Sequence, residues 1–288
     1  MEEPVTFVSQ GLKLAGVLHI PDGLKPGERR PACLVLHGFG SNKGSKACIG
    51  PAKLLESWGY IALRFDMRGC GDSEGTPAHI ICMDQVEDTK SAVTYLMSRG
   101  DVDPNKIACA GHSFGAAVSV YAGGVDKRIA ATISSGGWGD GETKFKVQHS
   151  GPGAWEKFTS TLARGKEQRA RTGVSIKIPR YDIVPIPEHL RGNLAKGSVM
   201  EFPLETVESM LAFKANDVVG AIAPRPLLLL HASNDSVTPT EQSIRLFERA
   251  GRPADLHLVA DVDHFMFAEG NPIVTDIIRN WLRMRLGV

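Results

Sequence analysis

The stretch IACAGHSFGAAVSVYAGG, residues 107–124, places one serine between two glycines. The apolar residues before it predict a buried strand, and the small residues after it predict a helix. A G-x-S-x-G sequence between a strand and a helix predicts a sharp, strained turn that exposes the hydroxyl of Ser113. Gly111 and Gly115 would leave space where side chains would collide with neighbouring backbone. An ordinary tight turn is the alternative that this stretch leaves open.

Runs of apolar residues alternate with helical patterns along most of the chain. The first strands, at residues 5–9 and 12–20, flank Gln10-Gly11 and predict an antiparallel hairpin. Further strands are predicted at PACLVLHG, YIALRFD, KIACAG, IAATISSGG, PLLLLHAS and DLHLVAD, with helices near residues 47–58, 84–97, 113–122, 240–250 and 273–286. Strands that alternate with helices predict an α/β fold, in which helices cover both faces of a mostly parallel central sheet.

One long segment interrupts this alternation. Residues 139–216 lack a convincing buried strand, carry scattered aromatic residues and prolines, and separate two predicted core strands. Bare loops of this length are uncommon in compact domains. The sequence therefore predicts a core made of residues 1–138 and 217–288, with residues 139–216 inserted as a partly helical cap over one end of the sheet.

The composition is that of an ordinary globular protein. The 288 residues are 42% apolar and 23% charged, and 33 Lys and Arg nearly balance 32 Asp and Glu. That balance removes any whole-protein charge argument for nucleic acid or an acidic membrane as a partner. The acidic, polar start MEEPVTFVSQ is unlike a signal peptide, and no apolar run approaches the roughly 20 residues that span a bilayer.

The cysteines favour a reducing compartment. Their number is odd, they form no CxxC pair, and three of them lie in or beside apolar runs (the five are Cys33, Cys48, Cys70, Cys82 and Cys109). We therefore expect reduced thiols in a cytoplasmic protein, with neither a disulfide framework nor a zinc site.

A serine nucleophile needs a base that accepts its proton and an acid that orients the base. Downstream of Ser113, the run LLLLHASNDSVTP ends a predicted strand with Asp235, and LVADVDHFMF follows the last strand with His264. Both lie just beyond the carboxyl ends of strands, where open α/β sheets build their sites. The order serine, acid, histidine is the one that this architecture requires. The sequence thus predicts a catalytic triad of Ser113, Asp235 and His264.

Other polar residues near these positions compete for the same roles. Asp261 and Asp263 flank His264, but a carboxylate adjacent in sequence rarely reaches the imidazole Nδ1, and we interpret both as turn residues. Asn234 could hydrogen-bond the imidazole without stabilising its cation.

The remaining histidines near the motifs receive structural interpretations. His231 and His257 fall within predicted strands, where core or sheet-face positions are expected. His112 should point away from Ser113 if the strand alternation persists through it.

The loop LVLHGFGSNKG is the candidate source of a backbone N–H for the oxyanion hole. His37, Gly38 and Phe39 follow the first central strand, where this architecture provides its second oxyanion N–H. Gly38 would let the backbone turn inward, so that the amides of Phe39 and Phe114 face one carbonyl oxygen. His37 is interpreted as a structural hydrogen-bonding residue below the site. A glycine-rich loop that needs only flexibility is the alternative, and the GxxxxGK[ST] spacing of a phosphate-binding loop is absent.

The motifs HGFGSNKG, RFDMRGCGDSEG, GHSFGAA, LLLLHASNDSVTP and VDHF together resemble the α/β-hydrolase superfamily. Within it, the chain is most similar to small bacterial feruloyl (cinnamoyl) esterases and dienelactone-hydrolase-like esterases, over about residues 5–138 and 218–286. The predicted cap is longer than in those esterases, and the resemblance does not reach its residues. The resemblance implies Ser113 as nucleophile, His264 as general base and acid, Asp235 as the orienting carboxylate, and the Phe39 and Phe114 amides as the oxyanion hole.

We therefore expect a serine esterase that cleaves carboxylic esters of small molecules through an acyl-enzyme on Ser113, with no cofactor and no metal. Hydrolysis of a peptide, amide or carbon–carbon bond on the same triad stays open, as does a ligand-binding protein without turnover. Neither nucleic acid nor a membrane is expected as a partner, and a homodimer is compatible with the sequence.

The predicted cap is basic along its first half. Between residues 142 and 180, nine Lys and Arg accompany three Glu. Such a segment could steer an anionic substrate, or it could be a solvated helical face with its charges outward, and the pattern favours the second. Its aromatic residues would either line a pocket or pack the segment onto the sheet (Trp138, Trp155, Phe158, Tyr181 and Phe202).

Overall fold

The computed structural model describes residues 1–267 and 270–287. The strands are β1 (Glu2–Ser9), β2 (Leu12–His19), β3 (Arg30–Leu36), β4 (Ile61–Phe65), β5 (Val102–His112), β6 (Ala131–Ser135), β7 (Lys177–Pro179), β8 (Glu201–Pro203), β9 (Leu227–Ala232) and β10 (Ala254–Val259). The helices are α1 (Lys46–Ser57), α2 (Cys82–Ser98), α3 (Phe114–Val125), α4 (Gly141–Gln148), α5 (Ala154–Thr172), α6 (Arg180–Ile183), α7 (Leu204–Ala212), α8 (Glu241–Arg249) and α9 (Pro272–Arg285).

The central sheet is mostly parallel, as the sequence predicts. Its strand order is β1-β2-β4-β3-β5-β6-β9-β10. The hairpin β1–β2 joins β4 in antiparallel pairing, and the strands from β4 to β10 in this order pair in parallel. Helices between parallel strands cover both faces, so the predicted α/β class is confirmed.

The strand β3 shows how the sequence builds two cores. From residue 31 to residue 36 its side chains are all apolar and alternate between the faces of the sheet, because both faces are covered. Leu34 and Leu36 join the core beneath α2 and α3, while Cys33 and Val35 join the second core beneath α1 and α9. Burying one such leucine contributes about 1.5–3 kcal/mol, so an alternation of this kind keeps the strand central in the sheet.

Residues 139–216, called the insertion below, lie between β6 and β9. They contain α4 to α7 and a two-stranded antiparallel sheet of β7 and β8. The insertion is tied to the core by side-chain hydrogen bonds, among them Ile80 N–H to Thr206 Oγ1 at 3.0 Å and Cys82 N–H to Ser209 Oγ at 2.8 Å. Within the described part of the chain, no helix is both long and apolar enough to cross a membrane.

Candidate active site

Ser113 stands on the turn between β5 and α3. Its backbone has φ of 55° and ψ of −116°, a conformation that a non-glycine residue rarely adopts, and its N–H donates to the Ser135 carbonyl at 2.8 Å. A Cβ at Gly115 would lie 2.5 Å from the His37 carbonyl oxygen, and a Cβ at Gly111 would overlap the Gly115 carbonyl. The two glycines are therefore required by the close approach of β3, the turn and the first turn of α3.

The structure brings Ser113, His264 and Asp235 together at the carboxyl end of the sheet. His264 Nε2 lies 2.9 Å from Ser113 Oγ, and His264 Nδ1 lies 2.8 Å from Asp235 Oδ2. A carboxylate only accepts hydrogen bonds, so Nδ1 carries the proton and Nε2 is free to accept one from the serine. The His264 side chain is 2% exposed and that of Asp235 is fully buried, which shields both interactions from water.

Asp235 is held by four donors. Its Oδ1 accepts the N–H groups of Val237 and Thr238 at 2.8 and 2.7 Å, and its Oδ2 accepts from the imidazoles of His264 and His231. Burial alone would raise the pKa of Asp235, but the charge of His264 and the hydrogen bonds from both histidines outweigh it. The pKa therefore lies well below its ordinary value, and the carboxylate stays ionised.

His231 supports this carboxylate, a role that the sequence analysis missed. The imidazole is fully buried in β9, with Nε2 3.0 Å from the Thr238 carbonyl and 3.2 Å from Asp235 Oδ2. A carbonyl only accepts, so Nε2 is protonated, and Nδ1 accepts from the Ser243 hydroxyl at 2.6 Å. A buried histidine at the end of a strand requires hydrogen-bond partners, and this requirement could have predicted from the sequence that His231 contacts polar groups of the site.

The rival residues occupy other positions. Asn234 and His257 are exposed, and Asp261 is exposed with φ of 59° in the turn after β10. Asp263 links the two loops of the site, because its Oδ1 accepts the N–H groups of His264 at 2.7 Å and Ser236 at 2.9 Å. It holds the backbone of the histidine rather than its imidazole.

His112 does not point away from the site, so that prediction is wrong. Its ring centroid lies 4.9 Å from that of His264, because the strand alternation ends where Ser113 turns to positive φ. Its ring nitrogens are buried, without a hydrogen-bond partner of good geometry among the described residues. Burial, and then the neighbouring His264, hold the pKa of His112 well below its ordinary value, so the ring is neutral at neutral pH.

This buried neutral imidazole should make the protein less stable in acid. Below about pH 6.5 the unfolded chain binds a proton at this residue and the folded chain does not, so the free energy of unfolding falls as pH decreases. His112→Phe should flatten the slope by up to about 1.4 kcal/mol per pH unit. Urea unfolding between pH 7.5 and 5 measures it, with His257→Asn as an exposed control. An unchanged slope in His112→Phe would contradict the prediction.

The two residues predicted to supply the oxyanion hole, Phe39 and Phe114, lie next to Ser113, since Phe39 lines a cleft together with it and Phe114 follows it in the chain. Phe114 begins α3 and Phe39 follows β3, and neither N–H donates a hydrogen bond to another described residue. Free N–H groups at the start of a helix attract developing negative charge. His37 supports the second amide from below, since its Nδ1 donates to the Gly38 carbonyl at 2.8 Å and its Nε2 accepts from Met67 N–H at 3.1 Å.

A cleft with about 470 Å³ of empty space opens above Ser113. The core contributes Phe39, Ser113 and His264 to its lining. The insertion contributes one wall, made of three apolar side chains, one arginine and one asparagine (Val184, Ile186, Leu194, Arg180 and Asn193). No Asp or Glu belongs to the described lining of this cleft.

The basic residues of the insertion do not all point outward. Lys144 and Arg180 are each 2% exposed, whereas Arg169 pairs with Glu205 and Glu208 at 2.8 Å near the surface. The interpretation as a solvated face is therefore wrong for Lys144 and Arg180, and the sequence pattern gave no sign of either.

Comparisons with known proteins agree with this architecture. The family described as Hydrolase_4, serine aminopeptidase S33, matches residues 27–271. Polyketide transferase ATR5 from Stachybotrys chlorohalonatus is 27% identical over 285 residues, which cover 93% of this chain and 91% of that protein. The α/β hydrolase GrgF from Penicillium sp. sh18 has a TM-score of 0.81 at 23% identity over the whole of both chains. Est1E from Butyrivibrio proteoclasticus, solved with ferulic acid bound, has a TM-score of 0.71 at 19% identity over 99% of this chain and all of that one. The predicted α/β-hydrolase fold is confirmed.

Proposed function

The chain belongs to the serine aminopeptidase S33 family of α/β hydrolases, and from that premise we propose that it is a serine hydrolase of small-molecule carboxylic esters. The observation that carries the proposal is the line of hydrogen bonds from Ser113 Oγ through His264 to Asp235. A hydroxyl, an imidazole and a carboxylate in this order are the parts that nucleophilic acyl chemistry needs.

In the proposed first step, Ser113 Oγ attacks the ester carbonyl while His264 Nε2 takes its proton. Asp235 keeps the imidazole in the tautomer that accepts this proton, and it stabilises the imidazolium that forms. The carbonyl oxygen becomes negative in the tetrahedral intermediate, where the N–H groups of Phe39 and Phe114 would donate to it.

The tetrahedral intermediate then collapses, because its bond to the alcohol oxygen breaks as the same imidazolium gives its proton to the leaving alcohol. An acyl group is then bound to Ser113 Oγ. A water molecule then attacks the acyl carbon and gives a proton to His264. His264 passes this proton to Ser113 Oγ as the acyl–oxygen bond breaks, which releases the carboxylic acid and restores the free serine.

Cleavage of a peptide from its amino terminus is the second candidate, because the family description names serine aminopeptidases. The charge of the cleft favours esters over such peptides. An aminopeptide substrate brings an ammonium group, whereas the described lining carries the cation Arg180 and no carboxylate. Bringing like charges together costs several kcal/mol, so we rank the ester first.

The insertion would act as a cap over the reaction. Its side chains form one wall of the cleft. A mostly apolar wall would keep bulk water away from the oxyanion and so strengthen its interactions with the donors. Est1E was solved with ferulic acid bound, and the hydroxycinnamoyl group is therefore one acyl group to test in ester substrates of this protein.

Two measurements on the purified protein test the proposed function. A fluorophosphonate probe should label the protein once, and peptide mapping by mass spectrometry should locate the label on Ser113. A substrate panel of p-nitrophenyl acetate, p-nitrophenyl octanoate, methyl ferulate and leucine p-nitroanilide should show kcat/KM for the best ester at least about a hundredfold above that for the anilide.

The outcomes separate the candidates. Absence of labelling would favour a binding protein without turnover. Faster cleavage of leucine p-nitroanilide than of every ester would favour the aminopeptidase.

A further inference from the structure

Residues 38–42, called the oxyanion turn here, are held by the insertion as well as by the core. The carbonyl of Gly40, one residue after Phe39, accepts two hydrogen bonds from the insertion. Arg180 Nη2 donates to it at 2.9 Å and the N–H of Val199 donates at 2.8 Å. The turn that presents the Phe39 amide is therefore fixed by groups distant in sequence.

The guanidinium of Arg180 joins both sides of this contact. Its Nε donates to the Val199 carbonyl at 2.8 Å while Nη2 holds Gly40. Its Cζ lies 5.4 Å from the ring centre of Phe39 and 5.5 Å from that of Phe202, and the two rings stack at 4.1 Å. A planar guanidinium presents its N–H groups in a fixed fork and can lie against aromatic rings at the same time, whereas the lysine ammonium is a point charge on a flexible stem.

The space around this contact is filled. A Cβ added at Gly40 would lie 2.5 Å from the Phe202 ring and 2.9 Å from Arg180 Nη2. A third hydrogen bond joins the oxyanion turn to the insertion, from Asn42 Nδ2 to the Lys196 carbonyl at 2.9 Å. The oxyanion turn thus has little freedom to shift while the insertion stays docked.

Among the residues that the structure describes, no carboxylate pairs with Arg180. The arginine is 2% exposed, and its hydrogen bonds go to carbonyl oxygens rather than to a carboxylate. Burial lowers the pKa of Arg180 to about 10, so the group remains charged at neutral pH. Burying a cation without a carboxylate partner lowers the free energy of unfolding. A hydrophobic side chain of similar size could fill the same space without this desolvation cost. This cost points to a role other than stability.

We propose that Arg180 is a positioning residue, which fixes the oxyanion turn to the insertion so that the Phe39 amide is aimed at the oxyanion. The inference rests on the function proposed above. The oxyanion forms after the substrate has bound. A displaced amide therefore destabilises the transition state more than it destabilises the Michaelis complex. Loss of Arg180 should therefore lower kcat and leave KM almost unchanged.

The test compares Arg180→Met and Arg180→Lys with the wild-type protein on a p-nitrophenyl ester. We expect Arg180→Met to lower kcat by about tenfold to a hundredfold, the effect of a donor displaced by about 1 Å. Arg180→Lys keeps the charge but lacks the rigid fork that directs separate N–H groups at the two carbonyls, so its kcat should fall between the other two. Arg164→Met, which removes an exposed arginine of α5, is the matched control and should keep the wild-type kcat.

The inhibition constant of a trifluoromethyl ketone is a measurement that a general loss of protein stability would not change. Such a ketone adds to the serine and forms an oxyanion, so its inhibition constant should rise in each variant by the same factor as kcat falls. Wild-type kcat in both Arg180 variants would overturn the proposal. So would a raised KM with unchanged kcat, which would make Arg180 a substrate-binding residue.

Fluorophosphonate labelling to completion distinguishes this failure from failure of the proposed function. Wild type and all three variants should each take up one label, since Ser113 is intact in them. If the wild-type protein neither labels nor hydrolyses any ester, the proposed function fails and the positioning role fails with it. If the wild type does both and the Arg180 variants match it, only the positioning role is wrong.

Discussion

Ser113→Ala should lower kcat for p-nitrophenyl acetate by on the order of 10⁶-fold. The substitution removes the Oγ that lies 2.9 Å from His264 Nε2, and no acyl-enzyme can form without it. Alanine keeps the Cβ, so the strained backbone at φ of 55° faces the same steric environment and the fold should persist. Steady-state rates, with circular dichroism as the check on folding, measure the effect.

Ser45→Ala is the matched control for this substitution. Ser45 lines the same cleft, and its buried hydroxyl has no hydrogen-bond partner among the described residues. It lies outside the line of hydrogen bonds to Asp235, so its loss should leave kcat close to the wild-type value. If purified Ser113→Ala hydrolysed the ester as fast as the wild type, another group would be the nucleophile.

The sheet could be predicted from the sequence because its signals are local. A run such as residues 31–36 of β3 is apolar at every position only when both faces are covered, and parallel strands are the usual case. The positions of Ser113, Asp235 and His264 follow from the same logic. Each comes shortly after a parallel strand, and parallel strands end at one edge of the sheet.

The contacts that complete the site depend on long-range packing, which no local pattern encodes. His112 was expected to face away because strands alternate, but the sharp turn at Ser113 overrides that period. Arg180 is one basic residue among nine in its segment, and its burial against Gly40 results from the docking of the insertion. Charge counts along a chain cannot tell a docked arginine from a solvated one.

Helix ends show the same limit on a smaller scale. The predicted helix at residues 84–97 begins at Cys82 instead. The Cys82 N–H would be unsatisfied at a helix start, and Ser209 Oγ of the insertion accepts it at 2.8 Å. A side chain distant in sequence therefore accepts the hydrogen bond of the first turn. A capping residue next to the helix could have been recognised in the sequence, but a distant one could not.

Asp235→Asn should lower kcat by about 10⁴-fold while KM changes little. Asp235 Oδ1 accepts two backbone N–H groups, so the asparagine oxygen would keep that position and its NH₂ would face His264 and His231. An NH₂ donor next to Nδ1 favours the imidazole tautomer with its proton on Nε2. That tautomer cannot accept the proton of Ser113, and the imidazolium also loses its counter-charge.

The carboxylate of Asp263, next to His264 in sequence, provides a control for this prediction. Asp263→Asn, the matched control, alters a side chain that accepts the backbone N–H of His264 and the hydroxyl of Ser236, not the imidazole. Its kcat should fall far less than that of Asp235→Asn, because the tautomer of His264 is untouched. Steady-state kinetics of both variants on one ester make the comparison. A tenfold or smaller loss in Asp235→Asn with a larger loss in Asp263→Asn would reverse the two roles, and the carboxylate next to the histidine in sequence would then be the orienting one.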